Sequence, residues 1–136
     1  MSNFNSLAAR LGIHHPIIQA PMAGVATPKQ AREMIEQTHA LTSRPFNVNV
    51  FCHEPPKRNA AQEQAWLEHL APLFKECGAA LPTALDEIYK SFLADDEAFN
   101  MLLETRPAVV SFHFGLPPSE QIQALRQAGI YTLATA

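Results

Sequence analysis

Short apolar runs with the pattern of β-strands alternate along the chain with longer segments that have the apolar spacing of amphipathic helices. This alternation constrains the fold most, because parallel strands need a crossover connection and that connection is usually a helix. We therefore predict an α/β fold, and both a doubly wound sheet and a (β/α)8 barrel satisfy the pattern. The predicted strands are residues 15–22, 46–51, 108–115 and 131–135, and the predicted helices are 29–41, 59–76, 83–93, 95–105 and 119–127.

The helix predicted after residue 59 has recognisable end signals. Asn59 followed three residues later by Gln62 predicts a capping box at its start. Gly78 is placed to take the left-handed conformation that commonly ends a helix. Pro72 lies inside the segment and predicts a kink or a break.

The strand predicted at 46–51 has two different faces. Asn47 and Asn49 lie on one face, and Phe46, Val48 and Val50 lie on the other, because successive side chains of a strand point to opposite sides. Ligands of parallel α/β folds bind at the carboxyl ends of the strands. The positions to inspect are therefore Met22 and residues 49–51, 113–115 and 134–136.

Composition excludes several classes of partner. Ten Lys and Arg against thirteen Asp and Glu give a net charge of −3, so bulk charge does not favour nucleic acid. No run approaches the roughly 20 apolar residues of a membrane span. With two cysteines and no signal-peptide pattern at the start, we expect a cytoplasmic protein. Cys52 beside His53 fits no closed zinc pattern, and no metal site is predicted.

Three segments carry a resemblance to a known family. They are IIQAPMAGVATP at 17–28, RPFNVNVFCH at 44–53 and SFHFG at 111–115. QAPM alone also occurs in related FMN barrels such as the flavin-type enoyl-ACP reductases, whereas the three segments in this order are specific. The chain resembles, over nearly its whole length, the amino-terminal part of the nitronate monooxygenases, formerly called 2-nitropropane dioxygenases.

The resemblance implies an FMN-dependent (β/α)8 TIM-type barrel that oxidises alkyl nitronates with molecular oxygen to a carbonyl compound and nitrite. It implies that backbone of Ala20, Pro21 and Met22 lines the flavin and that Asn49 hydrogen-bonds it. It places His113 in the substrate pocket, against the alternative of a core histidine bonded to a backbone carbonyl. No catalytic residue is assigned, because the proton-handling histidine of the family lies in a later segment.

The chain departs from the family pattern in two places. A complete barrel takes roughly 250 residues, and this chain has 136. Thr27 and Pro28 lead directly into the helix before FNVN, where the family has a further helix and a Gly-rich strand. Residues 1–136 are therefore expected to be the amino-terminal part of a single FMN-binding barrel domain, lacking one helix and one strand near 26–30 and the carboxyl-terminal half.

The shortened chain has two explanations. If the chain is covalently continuous from residue 26 to residue 30, strands that should flank a neighbour would lie about 10 Å apart, since neighbouring strands are about 4.8 Å apart. Such a product would expose unpaired edges and an apolar interior, and should aggregate. We therefore favour a longer protein of which some residues are left out; an intact mass near 15.0 kDa would contradict this.

Alternative functions stay open at this point. Another FMN-barrel oxidoreductase, such as a flavin-type enoyl-ACP reductase, would need NAD(P)H. An inactive truncated fragment, or an interaction module built on strand edges, is the non-enzymatic alternative, because the family's phosphate-binding segment is missing from these residues. The expected partners are a small nitronate and molecular oxygen, and a homo-oligomer is possible.

Overall fold

The computed structural model describes residues 4–13, 27–86 and 90–135. The strand predicted at 15–22 lies outside these ranges. The α/β prediction is confirmed, since helices and parallel strands alternate along the described chain. In chain order the elements are α1 (Phe4–Leu11), α2 (Pro28–Leu41), β1 (Asn47–Phe51), α3 (Ala60–Glu76), a 3-10 turn (Phe92–Ala94), α4 (Asp96–Thr105), β2 (Val109–His113), α5 (Ser119–Gln127) and β3 (Tyr131–Ala134).

The three strands form one parallel sheet in the order β1-β2-β3. Asn49 is paired with Ser111, and Ser111 is paired in turn with Leu133. The strand order follows the chain order, as expected when each strand is joined to the next by a crossover. The carboxyl ends of the strands therefore lie at one edge of the sheet.

One face of the sheet packs against helices, and we call it the packed face. Val48, Val50, Val110 and Phe112 belong to it, and the last two are almost fully buried. Apolar residues of α2, α4 and α5 complete this core. The apolar spacing of α2 correctly predicts that Ile35 is buried, whereas Met34 and Leu41, predicted on the same side, are 61% and 87% exposed. The buried members are Ile35, Cys52, Phe92, Met101, Leu102, Val110, Phe112, Leu125 and Ile130.

The prediction of a helix over 83–93 is wrong. Residues 83–86 form no helix and are mostly exposed, residues 87–89 are outside the described ranges, and only the short turn Phe92–Ala94 is helical. Ser91 starts that turn: its buried hydroxyl donates to the carbonyl of His53 at 2.5 Å and accepts from Leu93 N at 3.2 Å. A short helix without an apolar surface to bury is marginal in water, which explains the error.

Residues 55–90 form a separate compact unit that contains α3. Asn59 Oδ1 accepts a hydrogen bond from Gln62 N at 3.1 Å, as predicted. The second bond of the capping box is made by Glu63 and not by Gln62, since Glu63 Oε1 accepts from Asn59 N at 3.3 Å. The break predicted at Pro72 does not occur, and the helix runs through it to Glu76. Gly78 takes φ 65°, and the helix ends in a Schellman pattern.

Candidate functional site at the polar face

The face opposite the helices, which we call the polar face, carries a continuous row of hydrogen-bonding side chains. Asn47 Nδ2 donates to Ser111 Oγ at 2.8 Å, and Ser111 Oγ donates to Asn49 Oδ1 at 2.7 Å. Parallel pairing puts Ser111 beside Asn49, and Asn47 is the next residue of β1 on the same face. The face predicted for the two asparagines is confirmed, and the link between them through Ser111 was not predicted.

His113 lies at the carboxyl end of β2 on the polar face, two residues after Ser111. Its Nδ1 is 2.8 Å from Thr135 Oγ1, and that hydroxyl donates to the carbonyl of Phe112 at 3.4 Å. The tautomer of the ring decides which of Nδ1 and Thr135 Oγ1 donates in the shorter of these two bonds. His113 is half-buried, and its bond to the backbone carbonyl runs through Thr135 instead of being direct.

Aromatic side chains surround His113. The ring of Phe114 lies 3.9 Å from the His113 ring and 5.3 Å from that of Phe51, measured between centroids. Phe114 is 63% exposed and has φ 68°, a left-handed conformation that is rare for a bulky residue. Strain of this kind costs roughly 1–3 kcal/mol and clusters at functional sites. It marks the carboxyl end of β2 as the place to look for a ligand.

The loop after β2 is held close to the end of β1. Cys52 N donates to the carbonyl of His113 at 2.8 Å, which extends the pairing of the two strands by one bond. A Cβ added to Gly115 would lie 2.6 Å from the carbonyl oxygen of Cys52, so only glycine fits this approach. Cys52 itself is buried, and burial raises the pKa of its thiol to about 11. The cysteine therefore serves packing, since the thiolate is disfavoured.

The site residues predicted from the sequence fall in two groups. Asn49 and His113 lie on the same face of neighbouring strands, whereas Ala20, Pro21 and Met22 lie outside the described residues. The strand-end positions chosen for inspection include Phe51, Phe114 and Thr135, but no role was predicted for these three residues, and Ser111 was not among the positions. Ser111 could have been found by aligning the two predicted strands, since it precedes His113 by one same-face position. Among the described residues no group of His, Cys, Asp or Glu is arranged to hold a metal ion, and no helix could span a membrane.

Comparison with known proteins adds the decisive observation. The sequence profile of the nitronate monooxygenase family matches residues 20–136. The chain belongs to the nitronate monooxygenase family. It is 48% identical over 153 residues to a nitronate monooxygenase of Paraburkholderia phytofirmans, an alignment that covers 96% of this chain. It is 47% identical over 148 residues to that of Pseudomonas aeruginosa, covering 93% of this chain.

A solved structure supports the fold. The chain is similar to nitroalkane oxidase from Streptomyces ansochromogenes, with a TM-score of 0.67 and 34% identity, over 81% of this chain and 30% of that one. The family consists of flavoenzymes. The expectation that the α/β fold is part of a TIM-type barrel is confirmed.

The chain spans 42% of the length of each of the two nitronate monooxygenases. The alignment with the Paraburkholderia protein is 153 residues long and the chain has 136, so that protein has residues within the aligned stretch that this chain lacks.

Proposed function

We propose that this chain supplies the first part of an FMN-dependent barrel that oxidises alkyl nitronates with molecular oxygen to a carbonyl compound and nitrite. The observation that carries the proposal is the placement of Asn49 and His113 together on the polar face of a parallel sheet, in a member of this family. Ligand sites of such folds lie at the carboxyl ends of the strands, where His113 is found.

The described residues fit a flavin at this face. The Nδ2 atom of Asn49 has no acceptor among the residues that the structure describes, and the side chain is only half-buried. The polar edge of a flavin ring offers carbonyl oxygens and ring nitrogens as acceptors. Asn49 would hold this edge, with backbone of Ala20, Pro21 and Met22 alongside. FMN bound at this face would supply the redox chemistry between the nitronate and oxygen.

His113 would orient the nitronate. A nitronate oxygen is an anionic acceptor, so an N–H on Nε2 of His113 would donate a hydrogen bond to it. The rings of Phe51 and Phe114 offer apolar contact to the alkyl chain beside it. His113 is thus assigned to binding and orientation.

The domain organisation remains a proposal as well. We infer that residues 1–136 are the amino-terminal part of a single barrel domain that lacks one helix and one strand near 26–30 and the carboxyl-terminal half. The 42% coverage of the relatives and the length of the alignment support this inference.

Both cysteines are free, which supports the cytoplasm as the location. The oligomeric state stays open to a homo-oligomer.

A turnover assay tests the function. The protein that contains this chain, loaded with FMN, is expected to form nitrite from propyl-2-nitronate in air without NAD(P)H. His113→Ala should raise KM for the nitronate about tenfold, because one charge-assisted hydrogen bond is lost. Val48→Ala, on the packed face of the same sheet, is the control and should leave KM unchanged. Rapid flavin reduction by NADH without nitronate would favour the reductase alternative.

A titration tests the fragment alternative. The 136 residues alone are expected to bind FMN more weakly than micromolar, because the phosphate of the cofactor supplies much of its anchoring and the family's phosphate-binding segment is missing. Micromolar binding would show that these residues contain a phosphate site. An intact mass near 15.0 kDa, together with no nitrite formation, would favour the inactive fragment.

A further inference from the structure

We propose that Ser111 is a positioning residue that fixes the orientation of the Asn49 amide, so that Asn49 presents N–H donors and not its carbonyl oxygen to a ligand on the polar face. The identity of the ligand as the edge of a flavin ring rests on the proposed function. The control that Ser111 exerts on Asn49 does not, because it follows from contacts within the chain.

The argument depends on the single proton of the Ser111 hydroxyl. That proton is donated to Asn49 Oδ1 at 2.7 Å. The same oxygen accepts a hydrogen bond from Asn47 Nδ2 at 2.8 Å. A hydroxyl can donate only once, so Asn47 at the start of the row favours Ser111 as a donor to Asn49. The row therefore has one direction, from Asn47 through Ser111 to Asn49.

The direction of the row determines what Asn49 can recognise. With Oδ1 taken by Ser111, the two protons of Nδ2 remain, and no acceptor for them lies among the described residues. A ligand that places a carbonyl oxygen or an unprotonated ring nitrogen here completes the donor's bonds. A ligand that places a hydrogen-bond donor here meets two N–H groups and finds no acceptor for its proton. Ser111 thus selects acceptor atoms on the ligand without touching the ligand itself.

The backbone makes this arrangement stable without Ser111. Asn49 and Ser111 are direct partners in the parallel register, and their strands are paired from Asn47–Val109 to Phe51–His113. Removing the hydroxyl leaves that ladder and the packed face unchanged. The loss should therefore appear in the orientation of the Asn49 amide, and not in the fold.

The first experiment uses the purified full-length protein that contains this chain, freed of FMN. The side-chain amide signals of Asn47 and Asn49 are recorded by 1H–15N NMR in the wild type, Ser111→Ala and Ser111→Thr. Ser111→Ala is expected to move both pairs of signals, and Ser111→Thr, which keeps the hydroxyl, to restore them. Ser119→Ala removes an exposed hydroxyl elsewhere and should move neither. If Ser111→Ala does not fold, the near-isosteric Ser111→Cys, a weak donor, should shift both pairs of signals away from their wild-type positions.

The second experiment adds FMN at up to millimolar concentration and follows the same signals. Ser111→Ala is expected to weaken binding about 5–10-fold, which corresponds to the loss of about one hydrogen bond. Asn49→Asp keeps the acceptor for Ser111 and removes both donors, so it should weaken binding at least as much as Asn49→Ala. Ser111→Thr should restore the wild-type affinity. A general loss of structure would not produce this order of FMN affinities among the variants.

The outcomes separate the two proposals. If Ser111→Ala does not move the side-chain amide signals of Asn47 and Asn49, the positioning role of Ser111 is wrong. Signals that respond to Ser111→Ala while FMN leaves Asn49 unmoved would contradict the flavin assignment and leave the positioning role standing. Tighter binding by Asn49→Asp than by Asn49→Ala would contradict the donor direction.

Discussion

The two faces of the same sheet are built from alternating residues of the same strands, and they differ most towards the carboxyl ends, since Val109 at the start of β2 is buried although it lies on the polar face. On the packed face, Val110 and Phe112 are 0% and 1% exposed and meet apolar side chains of the helices. On the polar face, Ser111 and His113 are half-buried and use their polar atoms in hydrogen bonds to neighbouring strands or to Thr135. The difference teaches that apolar burial on one face frees the other to carry specific polar groups.

The largest effect is expected on the packed face. Phe112→Ala should lower the free energy of unfolding by about 3–5 kcal/mol, because it removes a fully buried ring and leaves a cavity. Phe114→Ala, two residues further and 63% exposed, is the matched control and should change it by less than about 1 kcal/mol. Denaturant unfolding followed by circular dichroism measures both. Equal losses of unfolding free energy in the two variants would contradict the larger contribution of the packed face to stability.

The core thiol gives the next largest effect. Burial raises the pKa of Cys52 from 9.0 to about 11, so at pH 8 its thiolate fraction is about 100-fold below that of an unperturbed thiol. Iodoacetamide should therefore alkylate Cys52 at least 100-fold more slowly than the exposed Cys77, as followed by mass spectrometry on Cys77→Ser and Cys52→Ala variants.

The raised pKa of Cys52 also makes the free energy of unfolding depend on pH. The folded pKa of Cys52 lies above the unfolded one, so its stabilising contribution is complete below pH 9 and is lost as the pH rises from 9 to about 11. Alkylation of Cys52 at the rate of Cys77 at pH 8 would contradict its place in the core.

A smaller effect is expected where the polar face meets the end of β1. Gly115→Ala should cost about 2 kcal/mol, because the new Cβ would lie 2.6 Å from a backbone oxygen of Cys52 and one of the two loops must shift. Gly129→Ala provides the control: it has φ 83° but open space around it, so only the cost of the left-handed conformation, about 1 kcal/mol, applies. A larger loss for Gly129→Ala would contradict the close approach.

The sequence predicted what depends on local periodicity. The strand at Asn47–Phe51 and the division of its two faces follow from alternation along five residues, and α5 follows from its apolar spacing. The same alternation places Ser111 on the face of His113, but the side-chain bonds of Ser111 and Thr135 could not be predicted, because they depend on the register between strands far apart in the chain. The helix expected over 83–93 failed for a related reason, since local propensity cannot say whether an apolar surface is available to pack on.

The smallest effect is expected at the exposed start of the polar row. Asn47→Ala should lower the free energy of unfolding by about 0.5–1 kcal/mol, because water replaces much of its bond to Ser111. Asn100→Ala, an exposed amide on α4, should change stability little or raise it slightly, since alanine favours a helix. A double-mutant cycle of Asn47→Ala with Ser111→Ala isolates the bond between them, with an expected coupling of about 0.5–1 kcal/mol. A coupling of zero would mean that Asn47 does not set the direction of the row, and the polar face would then lack the order that distinguishes it from the packed one.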